Sequence, residues 1–327
     1  MSDINVLNNC PICGGTSSKI LPYVNLAYSK ALELNGLQIN VCGKCGLGST
    51  FPERSWKDMQ SFYERSYRAS DSVHRNVARP LVSKYSISPR ALSQWMLLRI
   101  FRSFSSSDSF CDIGPGGGTT FQTALFLGMN LKKYAYEPDE SNIANLSELG
   151  VEVYPKSFNP ETELSSARFS AIILSHVLEH FSVSDSIGVL KKIQKMLRAD
   201  GVLLCEVPNV DMAKGGEVRK DDSPHLTFWT VAALQKAVTA AGMRVLFMST
   251  VGPRNGNRFH EPQISVGGKI SWFIRKALLH PRCPGFMADV ALLIRNYFNH
   301  GTVYKTLAAP DFEYGEGREC IRIVCAI

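Results

Sequence analysis

Residues Ser109-Phe-Cys-Asp-Ile-Gly-Pro-Gly-Gly-Gly-Thr-Thr120 decide the fold. An apolar strand runs into a glycine loop, and the loop opens a helix. After a helix-length gap, Ala135-Tyr-Glu-Pro-Asp139 brings the next strand to an end on acids. Gly114, Gly116 and Gly118 alternate after Asp112. Such a loop needs backbone angles, and a close main-chain approach to a ligand, that only glycine permits cheaply. Glu137 follows about twenty residues later, where an acid can hydrogen-bond ribose hydroxyls at the switch point of an open parallel sheet.

Strands and helices alternate outward from this loop. The patterning predicts strands near 109–113, 132–137, 151–154, 169–174, 202–207 and 243–250, with helices near 118–128, 140–149, 185–198 and 230–241. A helix over 89–104 precedes them, with Leu92, Trp95, Met96 and Ile100 at helical spacing. Leu190, Ile193 and Leu197 give the third core helix one apolar face, and Lys191, Lys192 and Lys195 point outward. This alternation predicts an α/β, Rossmann-like, mostly parallel sheet with helices on both faces. Residues 252–318 break the pattern and read as a helical insertion, with helices near 268–280 and 285–299, before a last strand at 319–327.

The dinucleotide pattern G-x-G-x-x-G fails at its last position, which is Thr119. A dinucleotide loop presents a helix N-terminus to a pyrophosphate. Here Asp112 lies just before the glycines. A carboxylate there disfavours phosphate and suits an ammonium group. S-adenosylmethionine (SAM) carries that ammonium, a sulfonium and a ribose, and no phosphate.

At this point the chain resembles the class I SAM-dependent methyltransferases. The resemblance rests on Asp112-Ile-Gly-Pro-Gly-Gly-Gly118, Glu137-Pro-Asp139, the run Phe169–Phe181 with its Val177-Leu-Glu-His180, and Leu197-Arg-Ala-Asp-Gly201. It implies methyl transfer and a seven-stranded sheet, and it does not imply one substrate. It places the cofactor on Asp112, Gly114, Gly116, Gly118 and Glu137, with His176 contacting it from the end of the fourth strand.

A second signal lies at the N-terminus. Cys10-Pro-Ile-Cys13 and Cys42-Gly-Lys-Cys45 form two C-x-x-C knuckles flanked by Gly14, Gly15, Gly43 and Gly46. Four thiolates in this arrangement favour tetrahedral Zn²⁺, and a closed set of four leaves no position for water or substrate. The metal is therefore expected to be structural. Redox pairs or unpaired core cysteines are the other readings, but no thioredoxin-like unit surrounds either knuckle. Of the five other cysteines, Cys111, Cys205, Cys320 and Cys325 sit in apolar runs and read as buried small hydrophobes. The expected domains are a zinc-ribbon-like module at 1–50, an aromatic-rich bridge at 51–88, the SAM-binding core at 89–251, the insertion at 252–318 and the last strand at 319–327. In the bridge a helix near 55–68 should turn Phe62 and Tyr63 inward.

With 327 residues the chain can bury one large core plus a small module. The net charge of +7 suits an anionic partner, either a nucleotide-linked sugar or RNA, and also an ordinary solvated surface. No signal peptide or membrane-length apolar run is present, and nine cysteines without a secretory signal fit a reducing cytosol. The basic amphipathic stretch 268–280 fits helix packing, with membrane-surface contact as the other reading.

SAM is already activated, so the protein must align an acceptor and remove its proton. His180 is the leading base, because imidazole titrates near neutrality. His225, in Asp221-Asp-Ser-Pro-His225-Leu-Thr-Phe-Trp-Thr230, is the second candidate. Glu179 is the third, or it orients the loop. Phe228 and Trp229 suit either a substrate face or the core, and Thr227 or Thr230 suits a helix cap. The layout Cys42–Gly46, Phe51-Pro and Phe62–Tyr67 looks like bacterial methyltransferases with an N-terminal zinc-binding domain. That resemblance implies methylation of a nucleotide-linked or polysaccharide-pathway sugar, on oxygen or carbon. An RNA base methyltransferase with a zinc-binding N-terminus is the runner-up. A non-enzymatic SAM-fold interaction module is the rival from another class.

Overall fold

The computed structural model describes residues 9–25, 31–62, 89–163, 168–210, 224–252, 313–314 and 318–327. In chain order the strands and helices are β1 (Ser17–Pro22), β2 (Gln38–Cys42), β3 (Gly48–Phe51), α1 (Trp56–Ser61), α2 (Pro89–Phe101), β4 (Ser109–Ile113), α3 (Thr119–Phe126), β5 (Lys132–Tyr136), α4 (Glu140–Glu148), β6 (Val151–Tyr154), β7 (Phe169–Ser175), α5 (Val183–Met196), β8 (Leu197–Pro208), β9 (Thr227–Phe228), α6 (Val231–Ala240), β10 (Arg244–Gly252), β11 (Glu313–Tyr314) and β12 (Cys320–Ala326). Eight strands form one sheet in the order β11-β10-β12-β8-β7-β4-β5-β6. This is the expected seven-stranded, Rossmann-like sheet with the two-residue β11 added at one edge. β12 runs antiparallel to β8, while β7–β8, β4–β5 and β5–β6 are parallel.

Contacts divide the chain into two compact units. One holds Val77–Lys156 and Val251–Arg318. Its parallel ladder pairs Asp112 with Ala135, and Ala135 with Val153. Trp95 anchors α2 there: the ring is fully buried, donates to the Thr120 carbonyl at 2.9 Å, and meets Phe110 edge-on at 4.6 Å between centroids. Ile100, expected inward, is 74% exposed, and Leu97 and Leu98 are buried instead. Leu98 continues the face of Leu92 and Trp95, and Ile100 lies off it.

The other unit holds Met1–Asn76, Ser157–Thr250 and Glu319–Ile327. β7 is buried at Phe169 through Leu174, as expected for a parallel strand covered on both faces. Helix α5 starts at Ser182, whose hydroxyl accepts from the Asp185 amide at 3.1 Å, and buries Val183, Ser186, Val189, Leu190, Ile193 and Met196. Leu197 begins β8 rather than ending this helix. Lys191 and Lys195 are exposed as expected, whereas Lys192 donates to the Thr162 carbonyl. The aliphatic stem of Lys192 lets its ammonium reach a neighbouring chain segment instead of bulk water.

The N-terminal strands form a separate four-stranded sheet, in the order β1-β2-β3-β9. Its fourth strand comes from the segment after β8. Helix α1 opens with a reciprocal cap between Ser55 and Asp58. Met59 and Phe62 pack with Leu34, Leu37 and Leu226, so Phe62 faces inward as its pattern implied. Tyr63, Tyr67, Asp221, Asp222 and the helices expected at 268–280 and 285–299 lie outside the described residues. Among the described residues no helix is long and apolar enough to cross a membrane.

Candidate active site and metal centre

The glycine loop leaves β4 and enters α3. Gly114, Gly116 and Gly118 adopt φ values of 69°, 53° and 74°. These lie in the left-handed region, which explains the alternating glycines. The three differ in surroundings. A Cβ on Gly118 would lie 2.7 Å from Leu146 Cδ2, whereas one on Gly116 would meet nothing within 4 Å. Gly118 therefore serves helix packing, and Gly116 faces open space suited to a ligand. Glu137, 5% exposed, ties the loop to the end of β5. Its Oε2 accepts from the Gly116 amide at 2.9 Å and its Oε1 from the Asp139 amide at 2.8 Å. A carboxylate offers about four lone-pair sites, so both oxygens can still accept from ribose hydroxyls.

Asp112 is 2% exposed and accepts a hydrogen bond from Thr120 Oγ1. Burial, opposed by that hydrogen bond and reinforced by Glu137, pushes its carboxyl up to about 7. A buried acid in this state gains most from a cationic partner. The donor set therefore fits SAM: a carboxyl that needs an ammonium, a second carboxylate for hydroxyls, and an open backbone turn. Thr120 was not singled out from the sequence. Its hydroxyl at the second position of α3, just after the glycine loop, is the signal that points to it.

The three other polar candidates converge at the end of β7. The 3₁₀ turn Leu178–His180 places Glu179 and His180, and the segment entering β9 brings His225 to them. The His180 and His225 rings meet edge-on, 5.1 Å between centroids. Glu179, 1% exposed, has Oε1 3.2 Å from His176 Nδ1 and 4.0 Å from His225 Nε2. Burial penalises its charge, but His176, with help from His180 and His225, more than offsets this and holds the carboxyl below its usual value. Burial, then repulsion from His225, drives His180 down to about 4, against the opposing pull of Glu179. Burial also lowers His225, which the Glu179 charge resists. Both imidazoles are thus neutral near pH 7. His180 is a weaker base than an imidazole near neutrality.

His176 is turned toward carboxylates on both sides. Besides Glu179, its Nε2 lies 3.4 Å from Glu206 Oε1. Glu206 in β8 pairs directly with Arg322 in β12, and both are 0% exposed. Arg322 Nε donates to Glu206 Oε2 at 2.6 Å. Neither residue was anticipated. The available signal was a lone acid in the apolar run Gly201–Pro208 of β8 and a lone base in β12, of opposite sign, which a buried strand tolerates only when paired.

The four N-terminal cysteines come together. Cys10 and Cys45 sulfurs are 3.7 Å apart, Cys13 and Cys42 sulfurs 3.4 Å, and all four lie within 4.8 Å of one another. A tetrahedron of Zn–S bonds of about 2.3 Å has edges of roughly 3.8 Å. The amides of Gly15 and Lys44 point at Cys13 and Cys42 sulfurs, each at 3.4 Å, as donors to thiolate do. The Cys45 sulfur draws Cys10 down to about 5, so one thiol of that pair gives up its proton readily. The set fits a zinc ion. Two further clusters of metal-binding residue types, Glu179–His180–His225 and His176–Glu206–Cys320, occur among the described residues.

The methyltransferase-domain family profile matches residues 63–246, more than half of the chain. No curated protein matches it. Several solved structures are similar at low identity. A 1,6-didemethyltoxoflavin N1-methyltransferase from Burkholderia thailandensis, with S-adenosylhomocysteine bound, is 17% identical over 65% of this chain and 88% of its own, with a TM-score of 0.46. A methyltransferase in complex with the Haloferax volcanii Trm112 activator is 12% identical over 72% of this chain and 88% of its own, with a TM-score of 0.45. Coclaurine N-methyltransferase is 14% identical over 72% of each chain, with a TM-score of 0.43. With the family match spanning the glycine loop, the Glu137 strand and the His180 turn, the chain belongs to the methyltransferase-domain family and is a SAM-dependent methyltransferase.

Proposed function

We propose that this methyltransferase acts on a small anionic metabolite, a nucleotide-linked or polysaccharide-pathway sugar, at an oxygen or a carbon. The pair His225–Glu179 carries the reading: a neutral imidazole stands 4.0 Å from a buried carboxylate. A hydroxyl or carbon acid must lose a proton as the new bond to the methyl carbon forms. SAM, when bound, would supply the methyl group and leave as S-adenosylhomocysteine, and the acceptor proton would pass to His225. Glu179 then faces the imidazolium it is placed to stabilise. His225 suits this role better than His180, whose affinity for a proton is depressed to about 4. His180 contacts the acceptor in this reading, beside the His225 ring. Asp112 takes the SAM ammonium and Glu137 the ribose, with Gly114, Gly116 and Gly118 giving the backbone turn. Cys10, Cys13, Cys42 and Cys45 hold a structural zinc.

The net charge of +7 supports an anionic acceptor. The N-terminal four-cysteine layout, which resembles that of the bacterial sugar methyltransferases, supports a sugar. Methyl-labelled SAM incubated with the protein and a panel of nucleotide-linked sugars should label a sugar. His225→Gln should lower kcat by about 10²–10⁴-fold and leave S-adenosylhomocysteine affinity intact. Label entering RNA, with none in any sugar, would overturn the acceptor assignment.

A further inference from the structure

The four-cysteine sheet is not closed on itself. Its outer strand β3 pairs with β9, with Gly48 opposite Phe228 and Ser49 opposite Thr227. Leu226, between His225 and β9, is held from both sides. Its carbonyl accepts from the Thr50 amide at 2.9 Å, and its amide donates to the Glu179 carbonyl at 2.8 Å. The Leu226 side chain completes the small core of Leu34, Leu37, Met59 and Phe62. Phe228 packs with Ile39 and Val41 of β2. On the far side of β9, the Thr230 hydroxyl donates to the carbonyl of Cys45 at 2.5 Å and caps α6 by accepting from Ala233. Gly46, at φ 74°, leaves room for Thr230: a Cβ there would lie 2.9 Å from Thr230 Cγ2.

A two-residue strand has almost no stability of its own. Its position depends on the sheet that receives it. That sheet has a core too small to fold without a staple, and the staple is the metal. We infer that the four-cysteine metal centre positions His225 against Glu179, through Thr230 on the Cys45 knuckle and Leu226 between β3 and the 3₁₀ turn. Thr230 and Leu226 are positioning residues. The metal touches neither acceptor nor cofactor, yet its occupancy sets the geometry of the acceptor-side imidazole. This rests on the zinc reading above, and it adds a coupling that a merely structural zinc would not have.

The test uses the full chain with ¹³C-labelled histidine, the His225 resonance being assigned with His225→Gln. Chelation of zinc should shift the His225 resonance and leave S-adenosylhomocysteine affinity, measured by calorimetry, within about threefold. Thr230→Val loses one hydrogen bond to the knuckle and one to the helix. It should move the His225 resonance toward its metal-free position and speed zinc release to a chelator by about tenfold. Thr230→Ser, which keeps the hydroxyl, should restore both. Retained S-adenosylhomocysteine binding reports that each variant is folded. Gly46→Ala, which crowds Thr230 without removing a hydrogen bond, should act like Thr230→Val. A His225 resonance identical with and without zinc overturns the coupling. If the protein takes up no Zn²⁺, the metal reading falls by itself, and an unmoved His225 resonance in Thr230→Val then overturns the positioning roles as well.

Discussion

Two glycines in one loop should fail in opposite ways when replaced by alanine. Gly116 and Gly118 both have positive φ, 53° and 74°, so each alanine carries a left-handed backbone cost of about 1–2 kcal/mol. At Gly116 the added methyl meets no atom within 4 Å. At Gly118 it would lie 2.7 Å from Leu146 Cδ2 and 3.3 Å from Leu149 Cδ1. Overpacking of that kind adds about 1–3 kcal/mol. Gly118→Ala should therefore lose about 2–5 kcal/mol of unfolding free energy, and Gly116→Ala about 1–2. Ligand affinity should run the other way. The Gly116 methyl occupies the open side of the turn, where the cofactor's main-chain approach is required, and a loss of about tenfold or more is expected. Urea unfolding monitored by tryptophan fluorescence gives the first quantity, and calorimetric titration with S-adenosylhomocysteine gives the second. Gly116→Ala binding within about threefold of the parent would refute the assignment of this loop to the cofactor.

Asp112 predicts a pH dependence. Its raised folded-state value means the uncomplexed protein loses stability as pH rises from the ordinary carboxyl range through about 7, while an ammonium ligand favours the ionised form. S-adenosylhomocysteine affinity should rise with pH through that range, and Asp112→Asn should flatten the rise while stabilising the ligand-free protein at pH 8; a pH-independent affinity in the parent would remove Asp112 from the ammonium site. The buried histidines act with the opposite sign. His180 and His225 are depressed, so their contribution to stability holds above the ordinary imidazole value near 6.5 and is lost as pH falls below it, for His180 toward about 4. The acid limb of methyl transfer should likewise lie below 6.5. A limb at or above 6.5 in the pH–rate profile would contradict a buried histidine base. Arg322→Met alone strands the Glu206 carboxylate and should cost about 3–5 kcal/mol, whereas the double change Arg322→Met with Glu206→Leu should recover most of it. Equal losses in single and double variants, read by thermal unfolding, would show that the pair is not the source.

The sheet was legible because its signals are local. Strands such as β4 and β7 are short apolar runs, and helices α4, α5 and α6 open on the capping residues Asp139, Ser182 and Thr230. The glycine loop was legible for the same reason, since positive φ leaves its mark in residue type. The acceptor-side cluster was legible only in part. His180 and Glu179 sit in a recognisable turn, but the depression of His180 arises from burial and from His225, 45 positions away in the chain. Glu206 and Arg322 are separated by 116 positions. The pairing of β3 with β9 spans a longer interval still, from Gly48 to Phe228, and nothing in Gly48 or Thr227 announces it. Long-range pairings of single residues leave no periodic trace, so sequence patterning finds the elements and misses the wiring between them.

That wiring also accounts for His176. It is the one non-glycine residue with positive φ, 57°, among the described residues. The left-handed region costs a residue with a Cβ about 1–2 kcal/mol. A glycine would sit there without strain, so the histidine must contribute through its ring. The backbone explains the position: the His176 amide donates to the Glu206 carbonyl at 2.9 Å, which holds the turn after β7 against β8. The ring explains the residue. Its Nδ1 and Nε2 lie 3.2 Å and 3.4 Å from two buried carboxylates, and Nε2 is also 3.8 Å from Cys320 Sγ of β12. One guanidinium, Arg322, faces Glu206. Glu179 faces the imidazoles of His176 and His225. A strained turn is therefore the local expense of setting a ring between the buried carboxylates of Glu206 and Glu179. The ends of β7, β8 and β12 and the β9 segment each supply one side of that arrangement. The histidine–carboxylate cluster proposed as the acceptor site is thus a property of the sheet's tertiary packing rather than of any one motif.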